Sequence, residues 1–243
     1  MKTNNLFITK IKINWEEVLN KDEYPFNIET IKNIKEINFK KNVTFLIGEN
    51  GAGKSSILEA IAIKYGLNPE GGSSNFNFST YDSYSNLHEY LTLITNGNIP
   101  RTKYFLRAES FYNVASNINS LNINDYYKGV NFHNCSHGEA FLELVKIRFY
   151  ENGFYILDEP EAALSPIKQM SLLCLINDLA NKGCQFIIAT HSPILISYYN
   201  GEILDLDNNL KEAEYKDTNI YKTYELFLNN YESMQEKLFE NIE

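Results

Sequence analysis

The chain has 243 residues, enough for one full-sized α/β domain. A hydrophobic content of 44% supplies a sizeable core, and 14% aromatic with 22% charged residues excludes a disordered chain. Acids outnumber bases 31 to 22, a net charge of −9, which excludes a surface built throughout to neutralise phosphates but leaves room for a local basic groove.

No apolar stretch reaches the roughly 18 residues of a membrane span. The amino terminus Met1-Lys2-Thr3-Asn4-Asn5 leads into no long apolar segment, so it does not read as a secretory signal. Cys135, Cys174 and Cys184 are an odd set without framework spacing, which points to free thiols, a reducing compartment and a cytoplasmic protein. No repeat, heptad array or low-complexity tract is present.

In chain order, residues 6–13 alternate toward their end and predict a half-buried strand. Val43 to Ile47 is an apolar, β-branched and aromatic run, read as a buried strand. Residues 54–65 carry Ile57, Leu58, Ile61 and Tyr65 at helical spacing. Gly71-Gly72-Ser73-Ser74-Asn75 is the clearest irregular stretch. Tyr104 to Leu106 predicts a strand, residues 138–150 a helix, and Phe154 to Leu157 another buried strand. Pro166 to Lys182 reads as a helix, with Ser165 as N-cap and Gly183 as its stop. Gln185 to Ala189 is the next strand, and one tail helix is expected over Tyr224–Phe239. Strands alternating with helices imply a mostly parallel sheet, whose ligands bind beyond the carboxyl ends of the strands.

Gly48-Glu49-Asn50-Gly51-Ala52-Gly53-Lys54-Ser55 fits G-x-x-x-x-G-K-[ST] in full, between a strand and a helix. Its glycines let backbone N–H groups wrap phosphate oxygens, and the following helix adds its positive end. This makes Gly48, Asn50, Gly51, Gly53, Lys54, Ser55 and Ser56 candidate nucleotide contacts, with Ser55 also a candidate Mg²⁺ ligand. Asp158 and Glu159 end a buried strand, where an Asp holds Mg²⁺ and an adjacent Glu deprotonates an attacking water. Ser136-His137-Gly138-Glu139 opens a helix. It reads equally as a second anion site and as an ordinary capping box. His191 follows the strand ending at Ala189, where it is placed to contact a phosphate.

Together these residues resemble an ATP-binding-cassette (ABC) type ATPase of the SMC/RecF-like branch. The likeness covers most of residues 6–206: Walker A at 48–55, a signature-like segment at 136–139, Walker B at 154–159, a D-loop-like Ala162-Ala163-Leu164-Ser165, and His191 as switch histidine. More narrowly, Tyr24-Pro25-Phe26, the phosphate loop and Arg107-Ala108-Glu109-Ser110 resemble small stand-alone predicted bacterial AAA/ABC ATPases.

The resemblance implies an α/β P-loop NTPase fold: an ABC ATPase head with a mostly parallel core sheet, an N-terminal antiparallel β region and a helical insertion. Residues 1–243 would form one domain. Within it, 6–65 hold the N-terminal strands and Walker A, and 66–135 a variable, helical insertion with a Q-loop-like segment. Signature, Walker B, D-loop and switch histidine fall in 136–206, and a tail helix in 207–243. It further implies an ATP-dependent head-to-tail homodimer sandwiching two ATP molecules with Mg²⁺. Lys54, Glu159 and His191 would be catalytic in cis, while Ser136 and Gly138 would reach the γ-phosphate in trans.

The sequence departs from the family at His137 and Glu139, where a glycine and a glutamine are usual. The glutamine between Walker A and the signature is not evident; Glu109 is the candidate for its place and a candidate metal ligand with Ser55 and Asp158. Arg107 reads either as a phosphate counter-charge or as half of a structural ion pair. Tyr24 and Phe26 read as core packing ahead of adenine stacking.

His133, Cys135 and His137 do not complete a four-ligand zinc site. No guanine-reading Asn-Lys-x-Asp follows the last strands, which argues against a GTPase, and a small-molecule kinase would not need Glu159, Ser136 and His191. Within the resemblance, the reading is ATP hydrolysis driving a protein partner in DNA maintenance or bacterial defence. The alternatives are an ATP-gated interaction module with little hydrolysis and the nucleotide-binding subunit of an ABC transporter. The acidity favours a protein partner and lends no support to nucleic acid.

Overall fold

The apolar runs of the sequence become the strands of two sheets. The protein is described here from a computed structural model, over residues 6–69, 71–72, 85–109 and 136–240. Its first half comprises β1 (Ile8–Ile13), α1 (Glu29–Lys32), β2 (Glu36–Asn38), β3 (Val43–Ile47), α2 (Lys54–Lys64), β4 (Leu91–Thr95) and β5 (Thr102–Arg107). Then follow α3 (His137–Arg148), β6 (Gly153–Asp158), α4 (Pro166–Asn181), β7 (Gln185–Ala189), β8 (Glu202–Asp205), β9 (Lys211–Glu212), α5 (Asn219–Asn229) and α6 (Tyr231–Glu240).

The larger sheet has the order β5-β6-β7-β3-β8-β9, parallel except for β9. The smaller is antiparallel, β2-β1-β4. Strands β3, β6 and β7 are buried along their whole length, which is why they read as continuous apolar runs rather than alternating ones. Alternation survives as a division of labour. Phe154, Ile156 and Ile187 face the layer containing α2 and the antiparallel sheet, while Tyr155, Leu157 and Phe186 face α3 and α4. Because α2 lies against both sheets, it is apolar nearly all round instead of showing one stripe.

The two sheets are stitched by one buried amide. Gln185 Oε1 accepts from the N–H groups of Phe7 and Ile8 at 2.8 and 3.0 Å, and its Nε2 donates to Ile8 O at 2.8 Å. Another buried hydroxyl, that of Tyr155, meets Thr102 Oγ1 at 2.6 Å and donates to Tyr150 O at 2.8 Å.

The predicted strands and helices up to residue 206 are present with shifts of a residue or two at their ends. Short strands β2, β4, β8 and β9 were not predicted; β4 adds the antiparallel partner of β1. Of the helical insertion expected over 66–135, the described residues form a 3-10 helix (Asn86–Tyr90) and strands β4 and β5, and residues 70, 73–84 and 110–135 lie outside the described set. Gly72, expected in an irregular stretch, bridges to Phe105 on the edge of β5. The single tail helix expected over Tyr224–Phe239 is a correction. Two helices form, from Asn219, and the break falls at Asn230, whose backbone leaves helical geometry and whose side chain donates to Leu226 O. An Asn that satisfies a last-turn carbonyl ends a helix in this way.

Candidate functional site

Strand register brings the motifs to one edge. Arg107 pairs with Asp158 across β5 and β6, Asp158 with Ala189 across β6 and β7, and Leu46 with Ala189 across β3 and β7. The phosphate loop, Asp158-Glu159, Arg107 and Thr190-His191 therefore leave the sheet together at its carboxyl end, from β3 and the three strands to one side of it. A cavity of about 280 Å³ opens there beside Gly48, Glu49, His191, Asp205, Asp207 and Tyr224. A cleft of about 640 Å³ near Tyr65, Arg101, Lys103 and Tyr150 is larger, but it lies at the amino end of β5, away from every motif. Convergence of strand ends, not cavity size, locates the site.

The loop is held from outside. Gly53, at φ +87°, caps α2, and a Cβ there would come within 2.7 Å of Ile31 Cδ1, so only glycine permits this approach. Thr30 Oγ1 donates to Ala52 O, and Glu49 N–H donates to an Asp207 carboxylate oxygen at 2.8 Å. Asn50 and Gly51 stand exposed at the crest of the loop. The Lys54 ammonium is buried and folds back to donate to Gly48 O and Glu49 O at 2.7 and 2.9 Å. Two of its three protons are thereby fixed on the loop. Burial pulls its pKa down, against the opposing pull of Glu159, Asp207, Asp158 and Glu161.

Ser55 Oγ donates to Asp158 Oδ1 at 3.0 Å, joining Walker A to Walker B. Burial raises the Asp158 carboxyl to about 6, against the lowering effects of Arg107 and Ser55. Arg107 Nε lies 3.4 Å from Asp158 Oδ2, and its Nη1 lies 3.2 Å from Glu59. The structure thus brings Arg107 directly onto Asp158. Glu109 lies exposed beyond it, and its charge is felt at Asp158.

Glu159 takes the left-handed backbone region, φ +48° and ψ +51°, with its N–H donating to Ala189 O. A non-glycine residue there is strained by about 1 kcal/mol. His191 Nε2 lies 3.7 Å from Glu159 Oε1 and is a buried ring nitrogen with no hydrogen-bond partner among the described residues. Its backbone N–H donates to Glu161 Oε1 at 2.5 Å. Ser192, next to it, is tied to Gln169 on α4 at 2.6 Å.

Ser136 caps α3. Its N–H and Oγ both donate to Glu139 Oε2, at 2.8 and 2.7 Å, and Lys168 Nζ donates to Ser136 Oγ at 2.8 Å. The capping-box reading is thus what the free chain adopts. Gly138 packs where a Cβ would meet Ala163 O at 3.0 Å and Lys168 Cδ at 2.8 Å, so the signature-like turn lies against the D-loop-like segment.

Ser56 is buried, its hydroxyl 2.7 Å from that of Tyr24. Phe26 is core, edge-on to Trp15 and Tyr90, but Tyr24 is exposed, so core packing fails for Tyr24. His133 and Cys135 lie outside the described residues. The sequence did not mark Thr30, Glu161, Gln169, Ser192 or Asp207. Only Glu161, an acid two residues after Glu159, carried a local signal.

The donor set suits a magnesium nucleotide. Among the described residues no three His, Cys, Asp or Glu side chains gather into a cage. Mg²⁺ characteristically relies on one or two protein oxygens plus phosphates and water, and the Ser55–Asp158 pair beside a lysine-bearing phosphate loop matches that demand.

Fold and site define an ATP-binding cassette ATPase, and sequence comparison places the chain in that family. The ABC transporter family model matches residues 31–162, more than half of its length, and the chain belongs to this family of ATP-binding domains. A second model, named AAA domain and described with the AbiEii toxin of a Type IV TA system, matches residues 140–197. Among curated proteins, the chain is 27% identical over 183 residues to a galactose/methyl galactoside import ATP-binding protein, MglA 2, from Photobacterium profundum. That match takes in 66% of this chain and 36% of the relative, so the chain spans about a third of the relative's length. Solved structures similar to it include cbiO1 from Clostridium perfringens, part of the ABC transporter complex cbiONQ. That pair has 16% identity and a TM-score of 0.49, covering 92% of this chain and 94% of that one. The SMC head domain from Thermotoga maritima has 17% identity and a TM-score of 0.46, covering 82% and 94%. No helix among the described residues is long and apolar enough to cross a membrane.

Proposed function

We propose that the chain binds Mg-ATP and hydrolyses it as a head-to-tail homodimer, as an SMC/RecF-like member of the family. The observation that carries this reading is the Lys54–Ser55–Asp158–Glu159–His191 cluster, in which the Ser55–Asp158 bond of 3.0 Å joins the two Walker motifs. Gly48, Asn50, Gly51 and Gly53 would present the loop, Lys54 and Ser56 would hold the phosphates, and Ser55 and Asp158, with Glu109, would hold the metal. Bound Mg²⁺ would neutralise charge on the phosphates. Glu159 takes a proton from the attacking water, and the unpartnered Nε2 of His191, 3.7 Å away, donates toward the γ-phosphate.

The trans role of Ser136 and Gly138 rests on position. Ser136 is exposed at a helix start, and its own partners are Glu139 and Lys168 rather than the loop of its own chain. A second copy would exchange those contacts for a γ-phosphate. The acidic chain would drive a protein partner, in DNA maintenance or defence. A second reading, the nucleotide-binding subunit of a transporter, is favoured by likeness to an import ATP-binding protein. Copurification with a membrane permease would distinguish it.

Complementation tests the composite site. Lys54→Ala disables the loop and Ser136→Arg the signature, so each variant alone is expected to be inactive. Coexpressed, they form mixed dimers with one intact composite site, and about a quarter of parental ATPase activity is expected from random pairing. No recovery, or full activity of Ser136→Arg alone, refutes the trans assignment.

A further inference from the structure

Arg107 stands at the Walker B acid, and the fold gives it two carboxylates to serve. It ends β5 level with Asp158 on β6, so the strand register delivers it without help from a loop. The two oxygens of Asp158 are divided. Oδ1 accepts from Ser55 Oγ at 3.0 Å, and Oδ2 lies 3.4 Å from Arg107 Nε. On its other side the guanidinium is anchored, since Nη1 donates to Glu59 Oε2 at 3.2 Å and to Pro69 O at 3.3 Å. Glu59 sits one turn after Ser55 on the same face of α2, and its Oε1 accepts from Ser85 N–H at 3.2 Å. The side chains of Arg107, Glu59 and Asp158 are 21%, 13% and 6% exposed, so water screens them little. With both acids ionised, one guanidinium between two carboxylates leaves the group negative. It can therefore take a further cation without expelling the arginine, which keeps Glu59 when it gives up Asp158.

We propose that Arg107 is a positioning residue that stands in for the metal's charge. It neutralises Asp158 when nucleotide binds without Mg²⁺, and it yields that oxygen to the metal while Glu59 holds it beside the site. This role deepens the Mg-ATP reading above and rests on it. The chemistry is that of two cations competing for one carboxylate. Nucleotide without metal would bring its phosphates toward Asp158 and Glu159, and Arg107 on Asp158 removes part of that repulsion. With magnesium the same guanidinium costs affinity, because its contact with Asp158 must first be broken. Arg107 thus lowers the dependence of nucleotide binding on the metal, and Glu59 sets how readily it lets go. A phosphate counter-charge would instead help both nucleotide forms, and a purely structural ion pair would favour neither.

Calorimetric titration of the full chain with ATP at about pH 8, once with excess Mg²⁺ and once with EDTA, reads the competition. Arg107→Gln is expected to weaken metal-free binding about tenfold or more, the scale of one charged contact, and to leave Mg-ATP bound at least as tightly as by the parent. Glu59→Gln keeps an acceptor for Ser85 but frees Arg107 for Asp158, so it should do the reverse. Metal-free binding then holds and Mg-ATP binding falls, an opposition of sign that a folding defect would not give. In an Asp158→Asn background there is no charge to cover, and Arg107→Gln should change metal-free binding by no more than about twofold. Equal loss of both nucleotide forms in Arg107→Gln, no selective loss of Mg-ATP in Glu59→Gln, an undiminished effect in the Asp158→Asn background, or ATP binding by the parent only with Mg²⁺ would each overturn the role of Arg107 and leave the Mg-ATP reading standing. A parent chain that binds Mg-ATP no more tightly than Lys54→Ala would overturn both.

Discussion

Asp158 carries the sharpest electrostatic consequence of the site. Burial raises its carboxyl from the ordinary 3.8 to about 6, more than Arg107 and Ser55 offset. The folded chain therefore holds this proton more tightly than the unfolded chain. That contribution to stability is complete below about pH 4 and is lost as pH rises through about 6, leaving a cost of up to roughly 3 kcal/mol at pH 8. Asp158→Asn carries no charge at any pH. Without nucleotide or magnesium it is expected to be more stable than the parent at pH 8, with the gain vanishing toward pH 4; denaturant unfolding across that range measures it. Equal stability at pH 8 would mean that Arg107 already compensates the carboxylate. Under the proposed function, a cation held by Ser55 and Asp158 would relieve the same charge, and its binding would then raise the stability of the folded chain at pH 8.

Among the elements, the contact of the antiparallel sheet with the central strand β7 depends on Gln185. Its amide serves two buried N–H groups and one carbonyl of the Phe7–Ile8 segment. Gln185→Leu keeps the volume but strands those groups without water, and unsatisfied buried groups cost about 1–3 kcal/mol each. A loss of about 3 kcal/mol or more in chemical denaturation is expected, and a change under 1 kcal/mol would show that β1 is held by its apolar packing alone. Walker A is sensitive to the same contact, because α2 packs between the sheets and carries Lys54 and Ser55 at its first turn. Sequence patterning reached β3, β6 and β7 as apolar runs but not β2, β4, β8 or β9, where polar or charged residues interrupt any such run. Segments of two to five residues carry too few alternations to stand out from loop, and their pairing partners lie far away in the chain.

At the scale of the whole molecule the proposed interface closes over nucleotide through the exposed Ser136 helix. Glu159→Gln is expected to be a monomer alone and a dimer with Mg-ATP, by sedimentation, with turnover reduced about 100-fold or more. A monomer in both states would remove the sandwich. A net charge of −9 on each copy of such a pair still favours a partner protein over a phosphate backbone.

The sequence by itself determined what depends on local backbone chemistry: the glycine-wrapped loop from Gly48 to Ser55, the strand that delivers Asp158 and Glu159, and the Ser136–Glu139 cap. In each, residues a few positions apart set the dihedrals and donors, so spacing alone is enough. Tertiary structure decided what depends on distant partners. It put Arg107 against Asp158, Glu161 under the His191 backbone, Asp207 on Glu49 and Tyr24 on Ser56. Those contacts follow from the register of parallel strands joined by long crossovers, and a parallel register is set by the packing of whole layers rather than by any neighbouring residue.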